Sequence, residues 1–231
     1  MRAVLALLFL LLLAGAGALA VYRGLIPSHY NPFAPLDVTA PPNLVTRYKL
    51  YNLSRNPAAC LATLQNTTAV FTPLEDKPDA RCPLLNTLRV NRAGVPFNSS
   101  FMATCPLAVA WQVFFHNTLQ QAAQTHFGQN IKEVRHIGSY ACRNVYNRAQ
   151  GRLSQHATAN ALDLTGFVLD DGTLISVEKD WASTAHPSRA AFLKDLHSGA
   201  CRSFNVVLGP NYNTAHKNHF HLDMGTYHMC R

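Results

Sequence analysis

Two stretches of the chain concentrate the residue types that bind metals and move protons. The first, "HKNHFHLDMG" at residues 216–225, sets His216, His219 and His221 within six positions and follows them with Asp223. Read as a strand, it puts His219, His221 and Asp223 on one face and Phe220, Leu222 and Met224 on the other, toward a core. A single histidine is usually a hydrogen-bonded or surface group. Three at this spacing demand more, because protonated imidazoles crowded together repel one another and neutral ones in a pocket need partners. A divalent cation is the economical partner.

The second stretch is "SQHATANALDLTGF", residues 154–167, in which His156 precedes Asp163 by seven positions. Seven is odd, so the two side chains would face opposite ways on one continuous strand. His156 is therefore expected on a turn or short helical approach, and Asp163 on the strand itself. Leu162, Leu164 and Val168 would fill the core face, leaving Asp163 and Thr165 on the other. One imidazole and one carboxylate from here, joined by His221, make three N/O ligands and leave a fourth tetrahedral position for water. That is the arrangement of a catalytic rather than a structural zinc site, with a single Zn²⁺.

Ser154-x-His156 with Asp163 seven residues on, then His219-x-His221 near the C-terminus, resembles the zinc D-alanyl-D-alanine metallopeptidases and murein endopeptidases of the bacterial cell wall. The wider stretches "GSYACRNVYNRAQGRLSQHATANALDLTGF" and "CRSFNVVLGPNYNTAHKNHFHLDMG" resemble the extensin-like C-terminal domain family. The second likeness runs from about Asn31 to Arg231, the first only from about Gly138 to Gly225. The metallopeptidase likeness implies zinc ligands at His156, Asp163 and His221, with His219 and His216 beside the attacking water and the reacting carbonyl.

Where the carboxypeptidase branch of those enzymes carries a glutamate base, this sequence has Lys217 and Asn218, so the resemblance points to the endopeptidase branch, where histidines take that place. Arg143, separated from Ser139-Tyr140 by two residues, is similar to the arginine of that group's Ser-x-Tyr-Arg strand and would bind or polarise the substrate carbonyl. His219 is expected to act as general base, Arg143 to hold the developing oxyanion, and Ser154 to support the site from behind rather than attack substrate. The implied reaction is hydrolysis of peptide bonds in peptidoglycan, of endopeptidase or D,D-carboxypeptidase type.

Three other readings compete. A nucleophilic triad of Ser154, His156 and Asp163 lacks a nucleophile elbow and leaves the terminal histidines unexplained. A non-catalytic zinc-containing module of the cell envelope would keep the same ligands without turnover. A hydroxyproline-rich wall fibre is excluded by composition, since the 13 prolines are dispersed and no low-complexity repeat occurs.

The elements that must position these residues are legible in part. Thr104 and Pro106 open a helix whose stripe runs Leu107, Ala110, Trp111, Phe114, Phe115, Thr118 and Leu119, ending near Phe127-Gly128. Strands are expected at 134–140, at 162–169 and 174–177 joined as a hairpin through Asp170-Asp171-Gly172, at 205–208 and at 219–224. A second helix is expected over 188–198. Residues 43–104 read as irregular and dependent on disulfides. The pattern predicts an α+β fold with a small, mainly antiparallel sheet flanked by helices, similar to the metallopeptidase fold and stabilised by disulfides.

Residues 1–22 form a signal peptide or membrane anchor: Ala3 to Val21 is uninterrupted apolar or small sequence, and nineteen residues nearly span a hydrocarbon core of about 30 Å. A Pro-rich linker or surface strap follows at 23–42, then one domain at 43–231 with its catalytic core at about 134–231. Export makes the six cysteines three disulfides by default, with the pairing open. A cysteine zinc cluster or thiol nucleophile is disfavoured, as no CxxC occurs. The formal charge of +8 is scattered, so no nucleic-acid partner is indicated. The expected partner is wall peptide in the periplasm or cell envelope, with the membrane engaged only through the N-terminal segment.

Overall fold

A computed structural model describes residues 2–231. Helix α1 (Arg2–Tyr22) buries nothing, and the folded body begins beyond it. Helix α2 (Leu44–Arg55) starts at a capping box in which the Asn43 side chain accepts from the Thr46 amide and the Thr46 side chain accepts from the Asn43 amide. Helix α3 (Pro57–Gln65) follows at once, with Pro57 in its first turn. Strands β1 (Val70–Pro73), β2 (Thr87–Ala93) and β3 (Val95–Thr104) then form an antiparallel meander. Residues 43–104 thus hold two helices and three strands where the sequence reading expects irregular structure; 74–86 is irregular, and Cys60 and Cys82 are bridged as expected. Their apolar runs are short and only partly buried, so no long periodic signal arises.

Helix α4 (Cys105–Phe114) is capped by Thr104, whose hydroxyl accepts from the Leu107 amide. It is buried on all sides rather than along one stripe, because α2, α3 and β2 surround it. The helix continues as a π turn over Phe115–Leu119 into α5 (Gln120–Phe127), and Gly128 closes it in the left-handed conformation, φ 63°. Strand β4 (Ile131–Gly138) runs next, then β5 (Ala161–Leu169) and β6 (Leu174–Ser176), with α6 (Val177–Asp180) and α7 (Pro187–Ser203) after them. Strands β7 (Val206–Leu208), β8 (Phe220–Asp223) and β9 (Met229–Cys230) complete the chain.

The strands form one sheet in the order β1-β2-β3-β4-β5-β8-β7-β9, with β6 also paired to β5. This sheet is mixed, which corrects the expectation of a mainly antiparallel one. Between β3 and β4 the helical passage α4–α5 carries the chain back to the end from which β3 started, so β4 enters parallel to β3; β9 likewise lies parallel to β7. The inward face of β5 is also not the one expected throughout. Leu162 and Leu164 join the core, but beyond Gly166 Phe167 and Leu169 do so in place of Val168. Register shifts between β4 and β5 break the strict alternation there.

One core cluster extends from Val38 to Leu222 and includes Trp111, whose indole N–H donates to the Ala93 carbonyl at 2.8 Å. Three disulfides close the fold: Cys60–Cys105 joins α3 to α4, Cys82–Cys142 pins the loop after β4, and Cys201–Cys230 ties α7 to β9. With the apolar α1, these bridges fit an exported chain. Where α7 crosses the π turn, the helices approach so closely that a Cβ on Gly199 would collide with the Thr118 side chain. Gly199→Val is therefore expected to destabilise the domain by about 1–3 kcal/mol, seen as a lower denaturant midpoint at unchanged slope.

Candidate functional site

The two central strands bring the two sequence stretches together. In the β5–β8 ladder Asp163 lies directly opposite His221, while Leu162 and Leu164 face Leu222 and Phe220 within the core. His156 comes from a separate device. Residues Gln155–Thr158 form a single 3₁₀ turn, capped by Ser154, whose hydroxyl accepts from the His156 amide at 3.3 Å, and closed by Ala159 at φ 54°. This turn carries the His156 ring over the end of β5.

Three donor atoms then converge. His156 Nε2 lies 3.2 Å from Asp163 Oδ2, Asp163 Oδ1 lies 3.0 Å from His221 Nδ1, and the two imidazole nitrogens are 3.1 Å apart. The outward nitrogens decide what these atoms offer. His156 Nδ1 faces the Ser139 carbonyl at 3.1 Å, and a carbonyl can only accept, so Nδ1 carries the proton. His221 Nε2 donates to the Asp223 carboxylate at 2.9 Å. A neutral imidazole has one N–H, already spent outward in both rings, so both present lone pairs to the same point as the Asp163 carboxylate.

Such a convergence of lone pairs is repulsive unless a cation or proton sits among them. Burial opposes charge on His221, but its hydrogen bonds to Asp163 and Asp223, and the charges of both, push its pKa up to about 9. Burial likewise opposes ionisation of Asp163, yet the bonds from His156 and His221 hold its carboxyl well below the usual carboxylate range. A proton and a divalent cation are alternative ways of satisfying the same cluster. The three residues could hold a metal, their ligand atoms all lying within 4.8 Å of one another. His197, Cys201 and Cys230 also cluster, but the two sulfurs are bonded to each other and offer no thiolate.

His219 and His216 stand at the rim. The His219 Nδ1–H donates to Asn218 Oδ1 at 2.8 Å, which leaves Nε2 as a lone pair 3.6 Å from Asp163 Oδ1. His216 is oriented in the same way by Asn213, Nδ1 to Oδ1 2.8 Å, and its ring centroid lies 5.2 Å from that of His219. Burial lowers the pKa of both, and for His216 the neighbouring His221 and His219 add to the effect, bringing it to about 4. Both rings are therefore neutral at neutral pH.

These groups line a cavity of about 530 Å³, whose wall also includes Arg143, Ser154, Arg152, Tyr146 and Tyr227. Every site residue expected from the sequence thus borders one cavity. Sequence reasoning missed the supporting groups. Asp223 lies two residues beyond His221 on the same strand face, a signal that was present but assigned no role. Asn213 and Asn218 fix the rim tautomers, and Arg152 lies 4.8 Å over the Tyr227 ring on the cavity wall. The Asp223 carboxylate also accepts from the Gly225 amide at 2.8 Å, and a side chain on Gly225 would press on Gln155 and Asp223.

No curated protein and no solved structure matches this chain. A protein-family profile described as Extensin-like protein C-terminus matches residues 58–231, a span that contains all three disulfides and every residue of the cavity described above. The chain belongs to that family.

Proposed function

We propose that the chain is a zinc-dependent hydrolase of peptide bonds in cell-wall peptidoglycan, related to the D-alanyl-D-alanine metallopeptidases and murein endopeptidases. The observation that carries the reading is the pair of inward imidazole lone pairs meeting a carboxylate, each imidazole fixed from behind by an acceptor. Zinc–nitrogen bonds of about 2.0–2.1 Å in tetrahedral geometry put ligand atoms about 3.3 Å apart. The separations of 3.0, 3.1 and 3.2 Å among His156, Asp163 and His221 suit that sphere. Imidazole and carboxylate donors together select a cation of zinc's type over calcium or magnesium, which prefer all-oxygen sets.

A zinc ion held there supplies Lewis acidity, making water nucleophilic near neutral pH. The chain's own groups do the rest. His219 Nε2, its lone pair aimed into the site, takes a proton from the attacking water and later gives it to the leaving amine. His216, whose pKa burial and the neighbouring imidazoles bring to about 4, lines the substrate space instead. Arg143 counters the negative charge that develops on the carbonyl oxygen. The Ser139 carbonyl and Asp223 hold the ligand rings in register, as outward partners of metal-binding histidines do.

The test is digestion of purified peptidoglycan fragments by the exported domain, read by mass of the products. Cleavage is expected to stop with a chelator and return with zinc. Stoichiometric zinc binding without any product would overturn the hydrolase and leave a zinc-containing envelope module.

A further inference from the structure

The proline-rich segment after α1 is not a free tether. Lys49 Nζ donates to the Ser28 and Pro35 carbonyls at 2.8 and 3.2 Å, and Asn43 Nδ2 donates to the His29 carbonyl at 3.1 Å. Farther along, Asn117 Nδ2 reaches the Val38 carbonyl at 2.9 Å and Val38 enters the core. Residues 28–38 are therefore strapped against α2 and the body. Only Arg23 to Pro27 separates the end of α1 from the first fastening point at Ser28. Five residues reach at most about 18 Å.

The elements brought so close to α1 expose large apolar side chains. Helix α2 buries Thr46, Lys49, Leu50 and Leu53, and on its opposite side shows Leu44, Tyr48, Tyr51 and Arg55, spaced to share one face. The Arg55 guanidinium lies 4.6 Å over the Tyr51 ring. Leu25 in the link and Tyr30 and Phe33 in the strap are exposed, Phe33 82% and, on α2, Leu44 80%. Over residues 22–55 the charged groups are Arg23, Arg47, Lys49 and Arg55 against Asp37 alone. The Asp37 carboxylate is occupied by the Thr39 hydroxyl and amide.

Helix α1 is 21 residues long with a mean hydropathy of 2.8 over its most apolar window, enough to cross a bilayer. Aromatic rings concentrate where a protein meets the headgroup layer, and basic residues beside a membrane helix are drawn to anionic lipid. We propose that the exposed Leu44, Tyr48 and Tyr51 of α2, with Arg47 and Arg55 on the same helix and with the exposed Leu25, Tyr30 and Phe33 of the segment that joins it to α1, bind an anionic bilayer surface. The domain itself then lies on the membrane, whether or not α1 is retained. These residues are separate from the histidine cavity, and their role stands independently of its chemistry.

The core cluster includes no residue of α1, so residues 23–231 fold without it and can be tested alone. Flotation with vesicles of phosphatidylcholine mixed with phosphatidylglycerol is compared with pure phosphatidylcholine. Binding to the mixed vesicles is expected, weakening about tenfold on pure phosphatidylcholine and about tenfold in the triple variant Phe33→Ser, Tyr48→Ser, Tyr51→Ser. The double variant Arg23→Glu, Arg55→Glu should lose the anionic preference. Ile137→Ser with Leu174→Ser, exposed elsewhere, should bind like the parent. Failure of the parent to float overturns the proposal, as does a triple variant, folded by circular dichroism, that binds equally well. Dimerisation in sedimentation that the triple variant abolishes, without flotation of the parent, would assign these residues to a second copy instead.

Discussion

Replacing His221 with alanine is expected to take bound zinc from about one ion per chain to none after dialysis, and His156→Ala to do the same. Each substitution removes one of the three converging ligand atoms. The remaining imidazole and the Asp163 carboxylate then form a two-point site, open to water on two sides. Asp223→Asn tests the support rather than the ligand. Its amide still fills the space behind His221 Nε2, but the loss of charge makes the imidazole a poorer donor to a cation, and affinity should fall by about 10–100-fold. Metal content by atomic emission, with affinity by competition against a chromogenic chelator, measures the series. Full zinc occupancy in both histidine variants would remove the metal centre and the hydrolase with it. Retained occupancy in Asp223→Asn, with no change in affinity, would confine Asp223 to capping the Gly225 turn.

His219→Ala separates binding from chemistry. The ring contributes no ligand atom to the converging triad; its Nε2 stands 3.6 Å from Asp163 Oδ1 with its other nitrogen held by Asn218. Zinc content should therefore stay at one per chain while turnover of peptidoglycan fragments falls by about 10²–10⁴, the usual contribution of a positioned base. His216→Ala is expected to cost less, since it is His219 whose Nε2 stands 3.6 Å from the Asp163 carboxylate, while the His216 pKa is brought down to about 4. Full activity in His219→Ala would overturn the base assignment and move it to His216. Equal losses in both variants would mean that the pair acts as one unit.

The grouping of the candidate residues was largely legible because most of them sit on or beside periodic elements. Alternation along 219–224 put His221 and Asp223 on one face, and the odd spacing from His156 to Asp163 required a turn between them; the structure supplies that turn as a 3₁₀ segment capped by Ser154. The α4–α5 helix and its Gly128 stop were legible for the same reason. Helices α2 and α3 were not, because 12 and 9 residues with few buried positions leave too short a periodic record. The parallel entry of β4 was equally hidden, since nothing in a strand's own residues states the direction of its neighbour.

From the sequence alone came the apolar N-terminal segment, the even cysteine count, the extensin-like resemblance and the strand faces that carry Asp163 and His221. These are local properties, fixed by side-chain type and by backbone periods of 2.0 and 3.6 residues. Only the tertiary structure decided which cysteines pair, that β8 lies beside β5 with His221 opposite Asp163, which nitrogen of each histidine faces inward, and that the proline-rich strap is fastened by Lys49 rather than loose. Each of those joins atoms from chain segments far apart in sequence. Such contacts are set by strand register and by the packing of a shared core, quantities that no single segment encodes.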